Sequence, residues 1–492
     1  MNTTHFPKDA GEAEEGLYQV VFLASVVVLC LPLLLTTYAP LKDYPNHLAR
    51  AYVLAHYADV PLYQQNYVLS RRIVPNLGMD IIVGPLLRVV DLTTASRLFL
   101  CLIVVVFAGG CDRLGKAIHG HRTWLAVPCS FFVYNSMLLY GWVNYMFGLG
   151  CFCWTLAYWL SRRHRWTARQ FAMVTILTSC AYIVHLTAYA FLGAVFVTIC
   201  AWDVWKSQAT VRDAVVSLCP LAPAAVLHLA QTIGQRSTGV VIWNSVLGKV
   251  VATMPLFLSY SRGFDLVFVM ILGGICVVAW WWSEKLELVQ PPFLAGLVLL
   301  GLLLLAPKVA LASGADARFF PPAAILLLLS TRLTMSRRMA AVLLVGCLTL
   351  FSMRVGVIGK TWGRMDRRIA AQVAMFSVLP EGARVYPVFP SPEMVSLSKK
   401  EFGLLHVISL ATITRHAQVF SQFAMPGQEV VLFRTKPVYQ DLGNMPDGWV
   451  PDVAQAEYVW SYRVPTSVED MLTRVSVPVA TQNGFTIWKV RS

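Results

Sequence analysis

The stretch "LYQVVFLASVVVLCLPLLLTTYAPLKDYPNHLAR", residues 17–50, passes from hydrocarbon to ionisable groups within a few residues. Its first part, 17–38, is almost wholly apolar and long enough to cross a bilayer, which asks for about 20 such residues. Its second part sets Asp43 and His47 around Pro45, one helical turn apart, where the chain leaves the membrane. Ionisable groups at such a boundary are costly wherever they are partly desolvated, so they are functional candidates by default.

The rest of the chain repeats the apolar pattern. Of 492 residues, 57% are hydrophobic and only 13% charged, about half the ~25% of a soluble protein. Mean hydropathy is +0.60. We expect a polytopic α-helical membrane protein with about 11 transmembrane helices, at 17–38, 93–111, 123–139, 142–160, 169–185, 187–203, 212–232, 264–283, 291–308, 320–334 and 339–357. The 11 cysteines lie in or at the end of apolar runs, none after Cys347, and read as small buried hydrophobes rather than a disulfide framework. "CFC" at 151–153 lacks metal spacing.

A net charge of +14 invites a nucleic-acid reading, which the placement of the charges excludes. The basic residues concentrate in short connections such as "DRLGKAIHGHR", "SRRHRWTARQ", "WKSQATVRD" and "STRLTMSRRM", where the positive-inside rule puts them. That asymmetry predicts a plasma (inner) membrane protein with a cytoplasmic N-terminal tail, 1–16. The tail is acidic and does not look like a cleaved signal. The same asymmetry places the 39–92 loop and everything from 359 on the extracytoplasmic, or periplasmic, side.

The first outer loop is patterned. "NHLARAYVLAHYADV" spaces Leu48, Tyr52 and Ala55 as a helix does, and "NLGMDIIVGPLLRVVDL" holds an apolar piece too short to span, broken at Gly84-Pro85. Both are expected to lie in the membrane plane, as is the amphipathic part of 233–263. From 359 the composition turns to strand-like runs, "RVYPVFP", "QEVVLFRT", "AEYVWSYRV" and "FTIWKV". Helical runs "RMDRRIAAQVAMFSVL" and "EFGLLHVISLATITRHA" lie between them. A soluble C-terminal α/β or α+β domain is expected over 359–492, after a transmembrane domain over 17–358.

Several residues could do chemistry. Asp43 is either an N-cap or a base whose pKa burial raises toward usefulness. His47 is either a solvated surface residue or part of the same site. Arg71, Arg72, Asn76 and Asp80 in "SRRIVPNLGMD" offer a headgroup face or a clamp on phosphate oxygens. In "PKVALASGADARFFPP", Lys308 and Arg318 stand at the outer boundary against the charge bias, beside Asp316. Lys308 reads as a snorkelling residue and Arg318 as a binder of lipid phosphate. In "YNSMLLYGWVNYMFGLG" the aromatics read as an interfacial belt, which leaves Asn144 to bond between helices or touch a polar substrate. His185 ends a span and reads more readily as structural. There is no Walker A, "GxSxG" or "HExxH", and "GQRSTG" at 234–239 is not a nucleotide loop.

Through "DYPNH", "YNSMLLYGWVNYMFGLG", "HLTAYAFLG" and "ADARFFPPAAILLL", the chain resembles the GT-C superfamily of integral-membrane glycosyltransferases, of the bacterial type that uses polyprenyl-phosphate sugars. The resemblance implies a GT-C-like helical domain and transfer of a sugar from a polyprenyl-phosphate donor to an acceptor hydroxyl at the outer face, with inversion. It makes Asp43 the catalytic acidic residue of the first loop. Asp43 would act as general base, and His47 would orient it or contact the acceptor. Arg318, with Arg71 or Arg72, would stabilise the departing phosphate. The acceptor is left open among lipid A, a glycan, a protein and another lipid. Many relatives carry a second acid; here Asp80 or Asp316 would have to serve, so a divalent cation is the one cofactor left open. A lipid-linked sugar flippase and a non-catalytic membrane scaffold are the alternatives. The gathering of ionisable groups at the outer boundary rather than the midplane speaks against the flippase.

Overall fold

The computed structural model describes residues 8–163, 166–232, 241–310, 312–389, 399–439 and 453–491. The "GQRSTG" stretch and the start of the N-terminal tail lie outside them. The chain is a multi-pass helical membrane protein with a C-terminal sheet domain. Among the described residues six helices are long and apolar enough to cross a bilayer: Glu14–Leu34, Leu92–His119, Leu186–Trp205, Val211–Thr232, Arg262–Trp281 and Arg337–Val378. Shorter apolar helices include Ala168–Val184, Pro292–Leu305 and Ala317–Leu329. Val143–Leu160 packs against Leu92–His119 at the centre of the bundle, where Gly110 meets Gly150 and Cys153 too closely to admit a Cβ.

Two expected spans come out differently. The 123–139 segment is not one helix: it runs as Ala126–Ser130, a 3-10 turn Phe131–Val133 and Ser136–Leu139. The cause is Asn135, extended at φ −119°, whose side chain accepts from the N–H groups of Met137 and Leu138 and restarts the helix. The carbonyl of Tyr134 at this break is met by buried Arg354, which also donates to Phe257 and Leu258. A cation inside the bundle thus satisfies backbone that lipid could not. The 320–334 segment ends its helix at Leu329, and Thr331–Thr334 pairs antiparallel with Lys285–Leu288. Those strands lie in segments expected as a helix end and a connection. The expected 212–232 span is present as Val211–Thr232, with a 3-10 turn at Pro220 between Val211–Leu218 and Ala222–Thr232.

The last membrane helix does not stop at the membrane. Arg337–Met375 is continuous for 39 residues, roughly 58 Å at 1.5 Å per residue, against a hydrocarbon core of about 30 Å. Its far end carries Ile369 and Met375 into one apolar core with Trp460, Tyr462, Phe485 and Ile487 of the sheet. The composition change near 358 therefore falls within a single helix. The sheet has five strands in the order Ser476–Gln482, Phe485–Val490, Tyr458–Tyr462, Arg384–Val388, Gln418–Val419. The first two pairings are antiparallel and the last two parallel. The hairpin turns on Asn483-Gly484, both at positive φ, 54° and 81°, as a two-residue turn requires.

Two C-terminal expectations also change. "EFGLLHVISLATITRHA" is not one helix but short turns, Lys399–Leu404, Val407–Leu410 and Ala411–Thr414. Gly403 there lies so close to the Pro40 carbonyl that a Cβ would stand 2.4 Å from its oxygen, so close approach rather than helical spacing governs the stretch. "QEVVLFRT" forms its strand, Val431–Phe433, not in the main sheet but against Tyr67–Leu69 of the 39–92 loop. Tyr63 donates to the carbonyl of Thr412 at 2.7 Å across the same interface. The first loop and the C-terminal domain are thereby joined into one wall.

Candidate functional site

The helix Tyr44–His56 begins directly after Asp43, with Pro45 in its first turn. Asp43 occupies the N-cap position but its side chain makes no capping hydrogen bond. That leaves the carboxylate available, against the reading of Asp43 as a mere cap. Its backbone is laid on the Leu139–Gly141 turn. Lys42 N–H donates to Leu139 at 3.2 Å and Asp43 N–H to Tyr140 at 2.9 Å. Tyr44 is tied to the Leu92–His119 helix through Ser96, at 2.8 Å between hydroxyls.

The Asp43 side chain is only 16% exposed. Burial raises its pKa to about 6, against the pull of the Lys42 cation, a hydrogen bond from the Trp142 indole and the Arg318 cation. Trp142 joins the two groups: its indole faces the carboxylate, and the Arg318 guanidinium lies over its ring at 4.5 Å. Arg318 is further held by Tyr145, whose hydroxyl donates to the Arg318 carbonyl at 2.8 Å. Gly314, at φ 67°, leaves room for Trp142, because a Cβ there would stand 2.7 Å from the indole. Asp43 and Arg318, 275 positions apart in the sequence numbering, thus share one aromatic wall.

Three histidines complete the surroundings. His47 is buried, and burial with the nearby Arg50 cation pushes its pKa well below the usual value, so its ring is neutral. His406, from the C-terminal domain, brings Nε2 to 3.6 Å from the Asp43 carboxylate. Burial pushes His406 down to about 3, so it too faces Asp43 as neutral imidazole. His185 accepts at Nδ1 from the Thr187 N–H at 3.3 Å, capping the Leu186–Trp205 helix. Nε2 therefore carries its proton, and its ring lies 5.7 Å from Tyr145. His185 is both structural and next to the Arg318 wall.

Other candidates are committed elsewhere. Asp80 accepts two bonds from Arg50, at 2.8 and 2.7 Å, and Arg50 also pairs with Glu429. Asp316 accepts from the Ala317 N–H at 2.8 Å, from Asn244 at 2.7 Å and from Lys249 at 3.0 Å. Asn144 spends its amide on the loop: Oδ1 accepts from Met79 N–H at 2.7 Å and Nδ2 donates to the Asn76 carbonyl at 2.7 Å. Asn76 itself sits at φ 85°. Arg71, Arg72 and Lys308 are exposed. Among the described residues no three His, Cys, Asp or Glu side chains gather as a metal site. Asp43 stands among the cations Lys42 and Arg318 while Asp80 and Asp316 are bound to their own cations, a donor set that does not fit a resident divalent ion.

Sequence reasoning missed His406, Phe423, Arg50 and Glu429. His406 and Phe423, whose ring lies 5.5 Å from that of His47, reach the site from the far end of the chain, and Arg50 and Glu429 show no pairing signal along the sequence.

No family model matches the chain, and no curated protein matches it. Among solved structures, ArnT from Cupriavidus metallidurans bound to undecaprenyl phosphate is similar over 96% of this chain and 97% of its own, at 12% identity and a TM-score of 0.48. The same protein in the apo state is similar over 97% and 98%, at 15% identity and a TM-score of 0.42. At these values the likeness carries no assignment, and the functional reading stands on the site's own geometry.

Proposed function

We propose that the chain is a glycosyltransferase of GT-C type that moves a sugar from a polyprenyl-phosphate donor to an acceptor hydroxyl at the outer face of the membrane. The observation that carries this reading is the shared wall of Asp43, Trp142 and Arg318: a largely buried carboxylate that caps no helix and a stacked cation at the edge of a helical bundle. A donor that is half lipid and half sugar needs its chemistry at that boundary. Asp43, held near pKa 6, is ionised at neutral pH yet more basic than an ordinary aspartate. It takes the proton of the acceptor hydroxyl while that oxygen bonds to the anomeric carbon. The bond from that carbon to the phosphate oxygen breaks, with inversion, and the lipid phosphate leaves with the electron pair. Arg318 meets the charge that develops on it. Neutral His406 and His47 neighbour the carboxylate without neutralising it. Arg71 and Arg72, on the exposed loop, meet headgroup phosphate from outside. No step is routed through a metal.

The test is turnover of a labelled decaprenyl-phosphate sugar by the purified full chain. Asp43→Asn is expected to lower kcat by about 10²- to 10⁴-fold while donor binding persists. Normal transfer by that variant would remove Asp43 as the base.

A further inference from the structure

A second polar population beside Asp43 takes no part in that mechanism. Asn46 Nδ2, His47 Nδ1, His406 Nδ1, Ser421 Oγ and Gln422 Nε2 are enclosed and have no hydrogen-bond partner among the described residues. All five sit where the first outer loop meets the C-terminal stretch 406–423. Asn46 Oδ1 accepts from Ser409 at 2.7 Å, and Gln422 Oε1 accepts from the Tyr67 hydroxyl at 2.6 Å. His47 and His406 flank Phe423, with ring centroids 5.5 and 5.7 Å away. Asn46 is 0% and His47 8% exposed. Protein interiors pair nearly all such groups, so a run of exceptions along one seam, 3.6 Å from the candidate base at its His406 end, points to a ligand.

The chemistry of the seam narrows that ligand. Asn46 and Gln422 offer donors, and the imidazoles and the Ser421 hydroxyl serve in either direction. Phe423 offers an apolar face between the two imidazoles. A sugar ring has this complement: hydroxyls that both donate and accept, and a C–H face that packs on an aromatic ring. A phosphate would seek a cation, and Arg50, the cation beside His47, is already paired with Asp80 and Glu429.

We propose that the seam is a subsite for a pyranose ring, built jointly by Asn46 and His47 of the Tyr44–His56 helix and by His406, Ser421, Gln422 and Phe423 of the C-terminal domain. The proposal rests on the transferase reading and deepens it: the C-terminal domain is part of the site. Because the five atoms are enclosed, the seam parts to admit the ring, with His406 and Phe423 moving away from Asn46 and His47.

Saturation-transfer NMR on the full chain in detergent, with free glucose, mannose, galactose and N-acetylglucosamine as probes, tests this. At least one pyranose is expected to show transfer, reduced fivefold or more in Phe423→Ala and in Ser421→Ala. Ser421→Ala deletes a hydroxyl that has no partner among the described residues, so a loss of sugar signal reports the subsite rather than a broken bond of the fold. Displacement of the sugar by decaprenyl-phosphate mannose but not by decaprenyl phosphate assigns the ring to the donor; displacement by neither assigns it to the acceptor. Both results support the subsite. No transfer to any of the four sugars, or transfer unchanged in both variants, overturns it. Asp43→Asn turnover is read separately, so failure of the transferase reading is distinguishable.

Discussion

The backbone N–H of Asp43 donates to the carbonyl of Tyr140 at 2.9 Å, so a turn in a distant part of the sequence sets where the carboxylate stands. The next residue of that turn, Gly141, lies at φ 84°, and a Cβ there would stand 2.7 Å from the backbone nitrogens of Asp43 and Tyr44. Gly141→Ala therefore combines left-handed backbone with a contact against main chain that cannot swing away. We expect a stability cost of about 1–3 kcal/mol and a loss of turnover larger than unfolding explains. Gly356→Ala, where nothing lies within 4 Å, is the control. Equal melting temperature and turnover in the two variants would show that the turn does not position Asp43.

The pH dependence follows from the same carboxylate. Asp43 works ionised, and burial raises its pKa to about 6. The acid limb of kcat/KM is thus expected near pH 6, with activity rising as pH climbs through it. Trp142→Phe removes an indole hydrogen bond that favours the charged form. Its limb should move to higher pH. A limb near pH 4, or one that Trp142→Phe moves downward, contradicts Asp43 as the base.

Arg318 is expected to act on kcat. Its guanidinium lies over the Trp142 ring at 4.5 Å, and its backbone carbonyl accepts from the Tyr145 hydroxyl. Arg318→Gln should lower kcat about 10²- to 10³-fold. Arg318→Lys should recover only part of this, because an ammonium neither stacks nor forks. Lys308→Ala, exposed at the start of the same segment, should leave kcat within about twofold. Steady-state kinetics that put the Arg318 effect wholly in KM would assign it to binding rather than to the developing charge.

Asp43 and Arg318 were legible because each is a charge in an apolar setting at a predicted membrane boundary. The same signal singled out Asp80 and Asp316, and it cannot separate the two cases. Whether a carboxylate is free depends on Arg50, 30 positions from Asp80, and on Lys249, 67 positions from Asp316. Such pairing is a tertiary fact with no period. The apolar runs gave most helices, yet 123–139 is broken because one side chain, Asn135, competes for the backbone. His406 lay in a stretch whose helical spacing matched a pattern that packing against Pro40 and Asn46 overrides. The strand Val431–Phe433 was visible, but its partner in the first loop was not.

The buried cluster of Arg50, Asp80 and Glu429 fastens the site's two halves, and its removal should be felt as stability first. Arg50 is fully buried and meets Asp80 from the first loop and Glu429 from the C-terminal domain. Arg50→Ala leaves two enclosed carboxylates without their cation, at a cost of about 3–5 kcal/mol. Glu429→Gln should cost less, because burial already raises Glu429 from 4.5 to about 7 against the pull of Arg50. Between those two values the folded chain holds a proton that the unfolded chain has released. This contribution to stability is complete below 4.5 and is lost as pH rises through about 7. In thermal melts of the purified chain between about pH 5 and about pH 8, the wild type should therefore fall relative to Glu429→Gln as pH rises. Parallel curves would mean that Arg50 holds Glu429 ionised throughout, and the cluster would then be a pH-independent fastening of the loop to the domain.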